Sequence, residues 1–174
     1  MGQLHSYALE LRTMPLGIQQ FNYVVDDAFF LQREGGEIRG GKVDVKLEVD
    51  HKGDYFDLTF WMEGTIVTAC DRCLDDMELP VDTDYHVVLK YAEESNADND
   101  EVIEVAERER DYDLTDIIYD TIALTIPMKH VHDEGRCNEA MVAELQKHAA
   151  SGETREETND PRWDALRKLM DNNK

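Results

Sequence analysis

Residues 43–62 read VDVKLEVDHKGDYFDLTFWM. Val43, Val45, Leu47 and Val49 alternate with Asp44, Lys46 and Glu48. A period of two is the mark of a strand with one buried and one wet face. Asp50-His51-Lys52-Gly53 reads as a hairpin turn, and the return strand sets Phe56, Leu58, Phe60, Met62 and Ile66 on one face. Gly64 interrupts that strand and marks a candidate bulge.

Outward from this hairpin the same signal returns. Val81, Thr83, Tyr85, Val87, Leu89 and Tyr91 alternate with Asp82, Asp84, His86 and Lys90, which predicts a third strand and an antiparallel meander. Tyr7, Leu9 and Leu11 alternate more loosely, and Val102, Ile103 and Val105 suggest a short strand. Residues 20–31 hold Phe21, Val24, Val25, Phe29 and Phe30 without a clean period, consistent with a short strand or a turn of helix. Residues 93–116 carry eleven acidic side chains against Arg108 and Arg110, the composition of a solvated loop.

Helical spacing begins at Leu114 and runs through Ile117, Ile118, Thr121, Ile122 and Thr125, with Asp113 as cap and Pro127 as terminator. Residues 138–149 read as a weaker helix with Met141, Val142 and Leu145 inward. Asp160-Pro161 opens a last short helix whose apolar edge is Trp163, Leu166, Leu169 and Met170. Trp163 either completes the parent core or contacts a partner. The predicted fold is α+β: an antiparallel sheet of about five or six strands, one packed helix and small C-terminal helices. Residues 1–150 are expected to form one domain, 151–160 a polar linker and 161–172 the C-terminal helix.

Totals set bounds on function. The chain has 174 residues and a net charge of −21. Such a polyanion is repelled by a nucleic-acid backbone, whose binding depends on Lys and Arg neutralising phosphates, and it attracts basic partners. No apolar run approaches the roughly 20 residues a spanning helix needs, no secretory h-region opens the chain, and three cysteines do not make a disulfide scaffold. A cytoplasmic protein with reduced thiols is expected.

The chemistry lies in the cysteines. Cys70-Asp71-Arg72-Cys73 follows the second strand of the hairpin, and Cys137 follows the first helix, with His130 and His132 just before it. A C-x2-C turn lets two sulfurs approach one ion, and a histidine with Cys137 supplies two more ligands, the Cys3His set of a structural zinc site. The spacing leaves His130 and His132 in competition, and buried, chemically idle thiols remain the plain alternative. A thioredoxin-type redox pair is disfavoured: residues 74–80 show no helix, no βαβ pattern surrounds them, and Asp71, Asp75 and Asp76 are expected to raise a thiol's pKa. No Gly-rich phosphate loop and no catalytic set is read; Gly35-Gly36 and Gly40-Gly41 flank a charged turn.

The string Cys70-Asp71-Arg72-Cys73-Leu74 resembles the C-x-R-C-L segment of the YceD-type bacterial proteins, named for large-subunit ribosomal RNA accumulation. The later order is similar too: Asp113-Leu114 opening a helix that stops at Pro127, His132-Asp133-Glu134-Gly135-Arg136-Cys137, and a tail of Asp160-Pro161-Arg162-Trp163 with Leu166 and Leu169. The resemblance covers about residues 64–170. It implies a small cytoplasmic protein needed for large-subunit ribosomal RNA levels, without known catalysis. It also favours Cys70, Cys73, His132 and Cys137 as the zinc ligands. The charge adds an expected client, a basic ribosomal protein or a large-subunit assembly intermediate. Local RNA contact through Arg72, Lys129, His130 and Arg136 is the second reading; Arg72, Arg136 and Trp163 are the candidate partner-binding residues.

Overall fold

The computed structural model describes residues 7–33, 35–93 and 102–149. The chain divides into two compact units, Met1–Asn138 and Glu139–Lys174. The linker and terminal helix expected over 151–172, Trp163 included, lie outside the described residues. Among the described residues, no helix is long and apolar enough to cross a membrane.

The first unit is α+β. Its main sheet has five strands in sequence order: β2 (Gly17–Val25), β3 (Ile38–His51), β4 (Tyr55–Ala69), β5 (Asp76–Ala92) and β6 (Val102–Ala106). The alternation of 43–62 has become the β3–β4 ladder, with Val45 opposite Met62 and Leu47 opposite Phe60. β4 and β5 pair along their whole length, from Tyr55 opposite Lys90 to Ala69 opposite Asp76. The three-strand meander forms as expected, and the antiparallel sheet is corrected at one edge: β6 pairs with β5 in parallel, from Val88 opposite Val102. Parallel pairing needs a crossover and cannot be read from alternation alone. β5 also begins earlier than its clean alternation, and Pro80 lies inside it, opposite Thr65.

β1 (Ala8–Glu10) pairs with β7 (Asp111–Asp113) as a separate two-stranded sheet, with Leu9 opposite Tyr112. The Leu114 amide donates to the Tyr7 carbonyl at 3.0 Å, continuing that ladder into the start of α2 (Thr115–Ala123). Leu9, Leu11, Leu114, Ile118 and Ile122 thereby cover the inner sheet face, where Val45, Leu47, Leu58 and Phe60 are buried. Each such side chain gains about 1.5–3 kcal/mol on leaving water. α1 (Asp27–Phe30) is one turn, capped by Asp26 and adding Phe29 and Phe30 to the same core.

The N-cap of α2 is Leu114, without a side-chain cap, and the expected Asp113 sits one residue earlier, its Oδ1 accepting from the Thr115 amide at 2.9 Å. The helix ends before Pro127: the amides of Thr125 and Ile126 donate three residues back, to Ile122 and Ala123, so a tighter turn has already replaced the α-helix.

Gly64 is not the bulge it suggests. It pairs with Val43 in unbroken register, and the irregularity falls between Ile38 and Gly40. A Cβ at Gly64 would come within 2.7 Å of Val43 Cα, so the glycine is there for close backbone approach. Gly40 and Gly41 likewise lie within β3, not beside a turn. Gly41 has φ +142, and its amide donates to Asp27 Oδ1 at 2.7 Å.

In the second unit, α3 (Glu139–His148) matches the weaker helix of the sequence, but none of its residues is buried, Met141 and Leu145 included.

Candidate metal centre

The β4–β5 pair closes at Ala69 opposite Asp76, which leaves 70–75 as the hairpin loop. The Leu74 amide donates to the Cys70 carbonyl and the Cys70 amide to the Asp75 carbonyl, both at 2.9 Å. This tight loop requires Leu74 at φ 64, a left-handed conformation that a non-glycine residue adopts only when its surroundings impose it.

The segment after α2 is clamped to this loop at the Asp71–His130 pair. The Asp71 amide donates to the His130 carbonyl at 2.9 Å, and the His130 amide donates back to Asp71 Oδ2 at 2.8 Å. The His130 ring lies against the Pro127 carbonyl and Asp71 Oδ1, at 3.1 and 3.5 Å. Two residues on, His132 reaches the sulfurs. The structure thus separates the two histidines: His130 fastens the loops, and His132 joins the thiols.

The ligand atoms of Cys70, Cys73, His132 and Cys137 all lie within 4.8 Å of one another. Cys70 Sγ is 3.9 Å from Cys137 Sγ, and His132 Nδ1 is 3.3 Å from Cys73 Sγ and 4.0 Å from Cys137 Sγ. A tetrahedral zinc ion at its usual bond lengths sets sulfurs about 3.8 Å apart and sulfur and nitrogen about 3.6 Å apart. The donor set and its edges therefore fit zinc. His132 Nε2 lies 3.1 Å from the Asp76 carbonyl; donating its proton there leaves Nδ1 free to coordinate, the usual second contact of a metal-binding imidazole.

Backbone dipoles complete the site. Amides of Arg72 and His132 donate to Cys70 Sγ at 3.4 and 3.5 Å. Burial opposes the Cys70 thiolate, but the backbone N–H groups of Cys73, His132 and Arg72 outweigh it and bring the thiol from 9.0 down to about 6. This corrects the expectation that the neighbouring acids would raise it. Those carboxylates are turned to other partners: Asp71 to the His130 amide, Asp75 to Asn138 Nδ2 at 3.1 Å, and Asp76 to Arg39 at 2.6 Å. Cys137 moves the other way. Burial, then its hydrogen bonds to Cys70 and Cys73 and their charge, push it up to about 11. Burial lowers the His132 pKa, but its contacts with Cys73 and the Asp76 carbonyl raise it above the ordinary value.

Cys70 and Cys73 are buried, while Cys137 and His132 are half-buried. Four convergent protein ligands leave no open position for a substrate, so such a set can hold an ion and tie two loops together. Of the cations read as a candidate patch, Arg72 and Lys129 are exposed, His130 faces Asp71, and Arg136 pairs with Asp133 at 3.7 Å. Sequence reasoning missed the Asp71–His130 clamp, the amides on Cys70 and the carbonyl behind His132. An aspartate directly after the first cysteine is the one visible signal for the clamp; backbone donors leave none.

No curated protein and no solved structure matches the chain. The family model described as large ribosomal RNA subunit accumulation protein YceD matches residues 58–170, which include all four cluster residues and well over half of the chain. With the C-x-R-C-L loop, the helix that follows the acidic stretch and the histidine-cysteine segment in their expected order, the chain belongs to the YceD family.

Proposed function

We propose that this protein is a non-enzymatic, cytoplasmic factor in large-subunit ribosome biogenesis, with a structural zinc ion held by Cys70, Cys73, His132 and Cys137. The family's role in large-subunit ribosomal RNA accumulation sets the process. The observation that carries the zinc reading is the convergence of four ligand atoms within 4.8 Å of one another. The zinc supplies a cross-link between the β4–β5 hairpin and the segment after α2, and the chain's residues do the binding. In this reading the lowered Cys70 pKa serves metal binding, since a thiolate is the metal ligand and the buried sulfur is closed to a substrate disulfide.

The rigid acidic body then holds a basic ribosomal protein, or a large-subunit assembly intermediate, by charge complementarity, with −21 on the chain as the support. Direct RNA contact ranks below it, because His130 and Arg136 already face carboxylates.

Metal analysis of protein purified without added metal tests the first half. One zinc per chain is expected, with thiols protected until a chelator is added. Metal-free protein whose thiols react freely would refute it. Pull-downs at low and high salt test the second half. Ribosomal proteins retained only at low salt are expected, and retention indifferent to salt counts against it.

A further inference from the structure

Beside α2 runs a groove of about 710 Å³ within the first unit. Its floor is a piece of the inner sheet face. Odd-numbered positions of β5 face the core: Val81, Val87 and Leu89 are buried, whereas Thr83 and Tyr85 between them are only half-buried. Ile103 of β6 continues the floor, and Ile117 and Leu124 form the helix-side wall. Leu124, directly after α2, is 85% exposed.

The rim is acidic. Asp84, Asp116 and Asp120 line it. Arg33 stands 3.3 Å from Asp116 and 3.0 Å from Asp120, so one guanidinium faces two carboxylates. The Tyr112 hydroxyl, also in the groove, titrates above its ordinary range through burial first and then Asp116, with Asp113 and Glu109 contributing. The groove is thus apolar below and electronegative at its edge.

We propose that this groove receives an amphipathic, cationic helix of a client protein, with its apolar side chains on the Tyr85–Ile103–Leu124 floor and wall and its Lys or Arg side chains at the rim. The inference rests on the reading that the protein holds a basic client, and it gives that client a place. A helix fits because the uncovered floor flanks α2 on the same sheet face. A second helix about 8–10 Å from α2 would complete the layer that helices form on sheets. Helix-in-groove recognition uses apolar anchors at i, i+3 or i+4 and i+7, and charge complementarity selects a basic opposite face.

The test uses the full chain and a labelled synthetic helix of about 18 residues, with leucines at those anchor positions and lysines elsewhere. A scrambled peptide of the same composition is the control. Leu124→Lys and Met128→Lys change the net charge equally, and both side chains are exposed, Met128 at 105% and outside the groove. By fluorescence anisotropy, Leu124→Lys should weaken the amphipathic peptide by about 10-fold or more and Met128→Lys by less than about 2-fold. Equal weakening by the two variants, or equal affinity for the scrambled peptide, overturns the groove. If both variants nonetheless retain ribosomal proteins in the low-salt pull-down, the client reading stands without it. Peptide binding that follows the groove pattern, in a protein that retains no ribosomal protein, supports the groove and removes the ribosomal client. Displacement of the peptide by polyuridylate RNA, or a dimer that Leu124→Lys disperses in sedimentation, assigns the surface to RNA or to a second copy and overturns the proposal.

Discussion

The turn at 52–54 and the loop at 70–75 flank the same strand, β4, and are held by different means. The first is local. Gly53 supplies φ +101 at no steric cost, and the Lys52 amide donates to the Tyr55 carbonyl at 3.0 Å. The second carries its left-handed φ on Leu74, a residue that resists it, and its outer contacts come from His130, His132 and Cys137, about sixty residues away. A turn specified by its own residues forms whenever the strands do. A loop specified from a distance forms only when the distant segment is in place, and in the zinc reading that depends on the metal.

Breaking the loop's anchor has the largest expected effect. Cys73→Ser, or removal of metal by a chelator, should cost on the order of 5 kcal/mol or more in urea unfolding, since structural zinc sites contribute folding free energy directly. Amide exchange should rise at 70–75 and 128–137 and stay slow in β3 and the 52–54 turn. Unchanged unfolding with and without chelator would defeat the contrast. Next comes Gly64→Val, which drives a side chain into the β3 backbone. A loss of about 3 kcal/mol is expected, with the metal stoichiometry unaltered. A reduced zinc content in that variant would mean that sheet and loop are not separable.

The smaller effects sharpen the contrast. Leu74→Gly removes the left-handed cost from a side chain that is 61% exposed, so it should stabilise by about 1 kcal/mol, while Gly53→Ala should destabilise by a similar amount. Opposite signs in thermal unfolding are the result to look for, and a destabilising Leu74→Gly would show that this side chain is needed. The body also responds to base. Burial raises the pKa of Tyr7 and Tyr23, with Asp26 adding to the effect at Tyr7. Their neutral forms are favoured in the folded state, so this stability is full below pH 10 and is lost as pH rises through the folded values. Absorbance at 295 nm should show these phenols ionising late and together with unfolding.

The same division explains what could be read in advance. Val43 to Val49 and Phe56 to Met62 announce strands because side-chain period and burial are one property of one stretch. The helix of Leu114, Ile118 and Ile122 is legible for the same reason. The parallel placement of β6 is not, because a crossover leaves no local period. At the site, the residue types pointed to Cys70, Cys73 and Cys137, and geometry chose His132 over His130 through one backbone clamp at Asp71. The acid-rich loop misled on Cys70: charge counted along the chain ignores that Asp71, Asp75 and Asp76 each face another group. The groove beside α2 went unread because Thr83 and Tyr85 alternate like fully covered core positions.

Pro80 has a wider consequence. β6 covers β5 only from Val88 to Ala92, so at Pro80 no further strand lies outside β5 among the described residues. A ring nitrogen there withholds one donor from any newcomer, and Glu78, Asp82 and Asp84 surround it with negative charge. Two copies meeting along this stretch of β5 would find neither a continuous row of amides nor a neutral margin. The open stretch of β5 thus resists edge-to-edge fusion with another sheet.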